Sequence, residues 1–346
     1  MEKCEKAEIF IFFYNLEEKM TVPKGGVAFF DSGIGGLTVM FECQKRISGL
    51  PFYYFSDTQH APYGNLSVAQ IKKLVDAVFE KIATLNPSAV VIACNTVTAV
   101  YVEELRKKYP FSIIGTEPAI LPAVKSGGET LVLTTPATAK SQRLNNLIKL
   151  ANNRYAQSKI TVCPCETLAG EIEEALNVSL KNSNPTSPCK ADNVVLDCAQ
   201  GIETAFNVSL KNFNPTSPCK ADNVVLDCAQ GIEEALNVSL KNFKPTLPPC
   251  KADNVVLGCT HYIYMKEYVS NFYNAKTFDG NQGIANRLIQ VLRKTGKKIG
   301  TFDHFEKKPD FQRDFYFLLG DNQKNKLIFE QMFANSLNKR VLAKKN

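Results

Sequence analysis

The sequence predicts an α/β fold with parallel sheets, and two features of the chain lead to this expectation. Short apolar runs rich in β-branched residues alternate with longer amphipathic stretches, a pattern typical of buried parallel strands joined by helices. Small polar residues follow each apolar run directly. With 346 residues, of which 45% are hydrophobic and 22% charged, the chain can bury one or two ordinary cores.

The first predicted strand, Gly26–Phe30, ends in a glycine-rich turn that contains Asp31 and Ser32 and leads into a helix over Leu37–Arg46. Glycines at such a turn can hold an anion on backbone N–H groups, although a plain tight turn also explains them. Their spacing is not GxGxxG, which argues against a dinucleotide site. The next strand, Phe52–Phe55, precedes a polar turn over 57–65 that also fits an ordinary Pro/Gly loop.

Two cysteines lie at matching positions after separate predicted strands. Cys94 follows the run Val-Val-Ile-Ala, and Cys259 follows Val-Val-Leu-Gly. Ligands of open α/β sheets bind just outside the carboxyl ends of the strands, so both thiols are expected where chemistry takes place. Two further predicted strand ends supply Glu117 and the hydroxyls of the segment 134–138. A pair of thiols suits a reaction that needs one acid and one base.

A tandem repeat occupies 171–261. Glu171–Gln200 and Gly201–Gln230 are identical at 26 of 30 positions, and Gly231–His261 is a third copy with one inserted residue. Each copy predicts a helix, a proline-containing loop and a strand. Three copies could form a solenoid, but no repeat occurs elsewhere in the chain, which favours a duplication inside an existing domain. We also expect a helix over Cys163–Leu176, and about 60 surplus residues packed away from the functional cleft.

The three copies differ beside their cysteines. Cys198 and Cys228 lie in Asp-Cys-Ala-Gln, whereas Cys259 lies in Gly-Cys-Thr-His. An aspartate directly before a cysteine disfavours the thiolate through like-charge repulsion. We therefore expect Cys198 and Cys228 to be bystanders.

Composition excludes several other classes of protein. The apolar run Ile9–Tyr14 is too short to span a membrane and lacks a signal-peptide cleavage site, so we expect a cytoplasmic protein with reduced thiols and no membrane partner. The three histidines are scattered and no paired CxxC occurs, so no metal site is expected. The net charge of +7 is spread along the chain, which argues against a nucleic-acid partner.

Several motifs, taken in order, closely resemble the aspartate/glutamate racemase family. They are FDSGIGGLTV at 30–39, PYG at 62–64, ACNT at 93–96, EP at 117–118, TPAT at 135–138 and GCTHY at 258–262. The resemblance extends from about Val27 to Phe333, and the order of the motifs makes it specific.

The resemblance implies two similar, doubly wound α/β lobes with parallel sheets and an active cleft between them. Chain order then places 22–118 and 268–340 in lobe one and 119–267, with the repeats 171–200, 201–230 and 231–261, in lobe two. Residues 1–21 form an N-terminal extension in this scheme.

The resemblance also implies a reaction, the racemisation of L-glutamate to D-glutamate for peptidoglycan. Racemisation removes the α-proton from one face of a carbon and returns a proton to the other, so acid and base must flank the substrate. The family pattern assigns these roles to Cys94 and Cys259. It assigns substrate contacts to Asp31, Ser32, Tyr63, Gly64, Asn95, Thr96, Thr260 and His261, and assisting roles to Glu117 and Thr138, with Asp31 and His261 also helping the nearby thiols.

No cofactor is expected, since no lysine lies in a recognisable Schiff-base motif. The expected partner is the small-molecule substrate, in a homodimer. Two alternatives remain at this point. The chain could racemise aspartate or another small acidic amino acid, or it could be a catalytically impaired binding protein of the same fold.

Overall fold

A computed structural model describes residues 22–155, 158–182, 247–297, 299–300, 314–322, 324–330 and 332. The predicted extension 1–21, the second repeat 201–230 and most of the first and third repeats lie outside the described residues. Cys198, Cys228 and the predicted end of lobe one at 333–340 lie outside them as well.

The first sheet contains five parallel strands in the order β4-β3-β1-β2-β9. These strands are β1 Val27–Asp31, β2 Phe52–Ser56, β3 Ala89–Ile92, β4 Ser112–Gly115 and β9 Phe315–Leu319. Every residue of β1 and β2 is buried, because both faces of the sheet are covered. Along β1, Val27 and Phe29 pack into one apolar cluster, while Ala28 and Phe30 pack into the cluster on the opposite face.

The second sheet contains four parallel strands in the order β6-β5-β7-β8. These strands are β5 Thr130–Thr134, β6 Ile160–Pro164, β7 Asn254–Gly258 and β8 Lys276–Phe278. Leu133 and Leu257 of this sheet belong to the same apolar cluster as Phe29 of the first sheet, so one core runs through both lobes. Val132 and Val256 pack on the other face, under the flanking helices.

Helices connect the strands and cover the sheets. Those of the described residues are α1 Gly36–Gln44, α2 Val68–Thr84, α3 Asn95–Lys108, α4 Ile120–Lys125, α5 Pro136–Ala139, α6 Gln142–Arg154, α7 Leu168–Asn182, α8 Lys266–Tyr273 and α9 Asn281–Lys294, and residues 324–330 are also helical. Short 3₁₀ turns lie at Tyr63–Asn65 and Thr260–Met265. Local sequence explains several helix starts: Ser67 and Gln70 form a capping box on α2, and Thr135 caps α5 with a proline in the first position.

The predicted α/β fold with parallel sheets is confirmed, and two details of the sequence prediction are wrong. The second sheet extends to Phe278 through the pairing of β8 with β7, so the chain does not return to lobe one at 268. It returns with α9, which packs against α1 and β4. The helix predicted over Cys163–Leu176 is instead the strand β6 followed by α7, because β-branched Thr161 and Val162 favour a strand and Pro164 blocks a continuous helix.

No helix in the described ranges is both long and apolar enough to cross a membrane.

Candidate active site

The two predicted thiols lie at the carboxyl ends of interior strands, one in each sheet. Cys94 directly precedes α3 after β3, and Cys259 directly precedes a 3₁₀ turn after β7. Both side chains are buried, with exposures of 5% and 6%. They lie close enough that the charge of Cys259 contributes to raising the pKa of Cys94. The fold therefore brings together two thiols that are far apart in the sequence.

Cys94 shares a hydrogen bond with the hydroxyl of Ser32, at 3.6 Å between Sγ and Oγ. Burial is the largest influence on this thiol and, together with the nearby carboxylate of Asp31, raises the pKa of Cys94 to about 12. The backbone N–H of Val97 and the Ser32 hydroxyl oppose this rise without cancelling it. A pKa of about 12 favours the protonated thiol of Cys94 at neutral pH.

Cys259 lies beside an imidazole. The distance from Cys259 Sγ to His261 Nδ1 is 3.7 Å, and His261 Nε2 bonds to Glu173 Oε2 at 2.8 Å. Burial lowers the pKa of His261, but the hydrogen bonds to Cys259 and Glu173 outweigh burial and raise this pKa well above its usual range. Burial likewise raises the pKa of Glu173, yet the His261 bond, the charges of His261 and Lys324 and the Ile34 N–H lower it to about 2. His261 and Glu173 form a buried ion pair that presents an N–H to the Cys259 sulfur.

Glu173 was missed by the sequence prediction. It lies on α7, in the helical part of the first repeat copy, and the same glutamate recurs as Glu203 and Glu233 in the other copies. Its presence in all three copies was a signal, but the sequence did not indicate that the first copy supplies the helix while the third supplies Cys259.

Asp31 connects the two lobes. Its Oδ1 accepts the backbone N–H of Gly33 at 2.8 Å, and its Oδ2 accepts the hydroxyl of Thr260 at 3.2 Å. Complete burial raises the pKa of Asp31, while the positive charge of His261 and these hydrogen bonds oppose the rise. The predicted residues Asp31, Ser32, Thr260 and His261 are thus assembled around the thiols.

A second group of predicted residues, Thr96, Thr138 and Gly64, makes contacts with Thr135. Thr96 Oγ1 and Thr135 Oγ1 are 2.9 Å apart, and Thr135 donates to Thr138 Oγ1 at 3.0 Å. Gly64 approaches Thr135 so closely that an added Cβ would lie 2.8 Å from the threonine Cβ, which explains the absence of a side chain. Thr135 lies within the quoted TPAT motif, but it was not among the predicted site residues.

Two other side chains that are predicted to contact the substrate, Tyr63 and Asn95, form hydrogen bonds within the protein. Tyr63 donates its hydroxyl to Asp57 Oδ2 at 2.6 Å, and Asn95 donates to the backbone oxygen of Thr116 at 3.4 Å. Both side chains are buried, so the structure holds them in place beside Gly64 and Cys94 before any ligand binds.

Glu117 differs from the expectation that it assists the thiols. Its carboxylate pairs with Arg143 Nη2 at 2.6 Å, and its side chain is 42% exposed. Arg143 also bonds to Glu103 at 2.7 Å. The described contacts therefore place Glu117 in a partly exposed ion-pair network, and its assisting role stays a prediction without a supporting contact.

Within the described ranges, no three or more His, Cys, Asp and Glu side chains are arranged to hold a metal ion. The polar groups around the thiols are hydroxyls, one imidazole and two carboxylates, which suit proton transfer and the binding of a small polar molecule.

Comparison with known proteins agrees with this geometry. Residues 42–201 match the model of a family described as Asp/Glu/Hydantoin racemase. The chain is 41% identical over 152 residues to a glutamate racemase of Clostridium kluyveri, an alignment that covers 43% of this chain and 58% of the relative. It is 37% identical over 155 residues to glutamate racemase 2 of Bacillus subtilis, covering 44% of this chain and 56% of the relative. These alignments span less than two thirds of the relatives' own length.

The fold is similar to that of solved glutamate racemases over most of the described chain. The Francisella tularensis glutamate racemase, solved in complex with D-glutamate, matches with a TM-score of 0.55 and 19% identity, covering 90% of this chain and 95% of that one. The Bacillus anthracis isoform RacE1 matches with a TM-score of 0.50 and 21% identity, covering 79% and 83%. At these identities the likeness establishes the fold.

Proposed function

We propose that this chain, which carries a domain of the aspartate/glutamate racemase family, interconverts L-glutamate and D-glutamate by proton transfer between two thiols. One observation carries the proposal. Cys94 and Cys259 are buried, close enough to interact through their charges, and each has its own polar partner, Ser32 or His261. Such an arrangement provides one proton acceptor and one proton donor in a single site.

The two thiols lie beside different polar groups. His261, with a raised pKa, is an imidazolium that donates through Nδ1 to Cys259 and through Nε2 to Glu173. This N–H can stabilise negative charge that forms on the Cys259 sulfur, whereas the raised pKa of Cys94, about 12, favours its thiol form. We therefore assign the first proton abstraction to Cys259 and the proton donation to Cys94.

The proposed proton transfers balance without a cofactor. The Cys259 thiolate accepts the α-proton as the C–H bond breaks, and the electron pair stays on the α-carbon and its carboxylate. The Cys94 thiol then donates its proton to the opposite face, which forms the other enantiomer and leaves a thiolate at Cys94. The reverse reaction begins from that second state, so the two thiols exchange roles.

The α-carbon is a very weak acid, and the site has features that lower this barrier. Burial of both thiols excludes water, and fixed donors stabilise the charge that develops on the substrate carboxylate. The hydroxyls of Ser32, Thr96 and Thr260 are suitable donors, all on buried side chains. An α-ammonium group next to Asp31 would also offset the negative charge that raises the pKa of Cys94.

The choice of glutamate as substrate is supported by the relatives, which are glutamate racemases, and by the D-glutamate complex of the Francisella protein. Aspartate is one carbon shorter and presents the same two carboxylates. It is therefore the competing substrate that an experiment must exclude.

The direct test is to incubate the purified full-length chain with L-glutamate and follow the circular dichroism signal of the amino acid. We expect the signal to decay to zero, because the equilibrium mixture of the two enantiomers is racemic. L-aspartate is the matched substrate control and should lose its signal at least tenfold more slowly. Binding of glutamate without decay would instead support the impaired binding protein.

In the cell, we propose that the chain acts in the cytoplasm as a homodimer, with no nucleic-acid or membrane partner, and supplies D-glutamate for peptidoglycan. Growth of a bacterial strain that requires D-glutamate, when rescued by this chain, would support that role. Light scattering of the purified protein would test the dimer.

A further inference from the structure

A largely but not fully buried ion pair between Lys324 and Glu173 connects the returning C-terminal segment to the site. Lys324 Nζ lies 3.2 Å from Glu173 Oε1, and the exposures of the two side chains are 10% and 12%. Exposed ion pairs contribute little, whereas a buried pair loses much of its solvation and depends on its partner. Burial sets this pair apart from Lys326 and Glu330 in the same segment, which are 46% and 40% exposed and 4.0 Å apart.

The first lobe fixes the position of Lys324. The backbone N–H of Lys324 donates to Asp321 Oδ1 at 3.0 Å, just after β9. The next residue, Asn325, donates to Ser56 Oγ at 2.8 Å, at the end of β2. These bonds hold the start of the helical segment against the first sheet, so the direction of the lysine side chain is set by that lobe.

Glu173 links Lys324 to residues on both sides of the cleft. Its Oε2 accepts His261 Nε2 at 2.8 Å and the backbone N–H of Ile34 at 3.4 Å, while Oε1 accepts Lys324. Ile34 belongs to the turn that carries Ser32, the partner of Cys94. The carboxylate therefore has three donors, and Lys324 is the one that brings a permanent positive charge.

The positive charge of Lys324 offsets part of the negative charge in the site. Asp31 is fully buried and Glu173 is 12% exposed, and a thiolate adds a third negative charge during the reaction. His261 alone cannot balance three negative charges in a site of low dielectric. Among the described residues, the titratable groups that interact with Glu173 include His261, Lys324, Asp31, Tyr54 and Tyr264.

We propose that Lys324 is a positioning residue for the Cys259 half of the reaction, because it holds the Glu173 carboxylate against His261 and so favours the thiolate of Cys259. The inference rests on the proposed racemase function for its meaning, although the contact itself can be tested without turnover. Loss of the lysine removes a positive charge that stabilises the Glu173 carboxylate and, through it, the positive charge of His261. It also frees Glu173 to leave His261, and both effects disfavour the Cys259 thiolate.

The test compares Lys324→Met with Lys324→Arg and Lys326→Met in the full-length chain. Methionine keeps the unbranched apolar stem and removes the charge, arginine keeps the charge, and Lys326→Met makes the same change at an exposed position. The readout is the rate of alkylation of each cysteine by iodoacetamide from pH 5 to 10, resolved by peptide mass spectrometry. Racemase rates cannot show which of the two thiols a substitution affects. The equilibrium constant between the two enantiomers is one, so any variant must lower kcat/KM by the same factor in both directions.

In Lys324→Met we expect alkylation of Cys259 near neutral pH to slow by up to about tenfold, with a smaller change at Cys94. Lys324→Arg and Lys326→Met should match the wild type. An unchanged Cys259 profile in Lys324→Met, or an equal shift in Lys326→Met, would overturn the inference.

A second variant covers the case in which Lys324→Met does not fold. Lys324→Gln keeps a hydrogen-bond donor without the charge, and it should produce the same shift at Cys259; a wild-type profile would overturn the inference. A wild-type chain that fails to racemise glutamate, yet shows the lysine-dependent shift at Cys259, would overturn the proposed function and leave the Lys324 contact established.

Discussion

At the scale of single residues, the site depends on how differently the fold treats two cysteines. Cys94 has a hydroxyl partner and a raised pKa, while Cys259 has an imidazolium held by a carboxylate. The same side chain therefore lies beside a hydroxyl at one position and beside a positively charged N–H donor at the other. The difference comes from neighbouring groups and not from the thiol itself.

We expect Cys94→Ala and Cys259→Ala each to lower racemisation by at least about a thousandfold, since each removes an acid or base that no neighbour replaces. Cys43→Ala is the matched control, because Cys43 is fully buried in the core and belongs to neither half of the site. Cys228→Ala should also retain activity. Steady-state rates from the dichroism assay would measure all four, and full activity in Cys259→Ala would show that the wrong repeat copy was chosen.

At the scale of elements, α7 contributes to the site through one face. Ile172 and Leu176 are buried in the core shared by both lobes, and Glu173 projects toward His261. The apolar contacts fix the helix, and the helix in turn fixes the carboxylate. The neighbouring Glu174 is exposed to solvent on the same helix.

The lowered pKa of Glu173 makes a prediction about stability and pH. A carboxyl group whose pKa falls on folding, here from an ordinary value of about 4.3 to about 2, stabilises the protein above pH 5, and this stabilisation is lost as the pH falls toward 2. Glu173→Gln should therefore lower the free energy of unfolding by up to about 3 kcal/mol at pH 7 and by less than half of that at pH 3.

Urea unfolding at the two pH values would measure this difference, with Glu174→Gln as the exposed control that should change neither value. An equal loss of stability at pH 7 and pH 3 in Glu173→Gln would mean that the carboxylate charge contributes nothing and that only the shape of the side chain matters.

At the scale of the whole molecule, the site is assembled from different copies of the repeat. The helix α7 of the first copy supplies Glu173, and β7 with the turn that follows it, from the third copy, supplies Cys259 and His261. One helix from the first copy and one strand from the third copy thus build this part of lobe two. The sequence between these two pieces is surplus to the described site.

Deletion of Gly201–Gln230, one complete copy, should therefore leave racemisation within about tenfold of the full-length rate, a change of about 1.4 kcal/mol in the barrier. The deletion preserves the register of the repeat and removes no residue of the described site. The dichroism assay and a thermal melt of the shortened chain would test this. Loss of folding would instead show that the duplicated copy is part of the core sheet.

The sequence alone determined the strands and the thiols, because both depend on local patterns. The apolar runs before Cys94 and Cys259 predict buried parallel strands, and the carboxyl ends of such strands are where ligands bind. His261 could be assigned beside Cys259 because the two are only two positions apart in the chain. The α/β class and the position of both thiols followed from the same local signals.

Tertiary structure alone decided which distant groups meet at those thiols. Glu173 is 88 positions from His261 and 151 from Lys324, and a glutamate on an amphipathic helix looks the same in all three repeat copies. Lys324 and Lys326 are likewise indistinguishable as sequence, yet the side chain of one is 10% exposed against a carboxylate and that of the other is 46% exposed. Hydrophobic periodicity sets which face of a helix is buried, but only the packing of one lobe against the other determines which charge lies opposite that face.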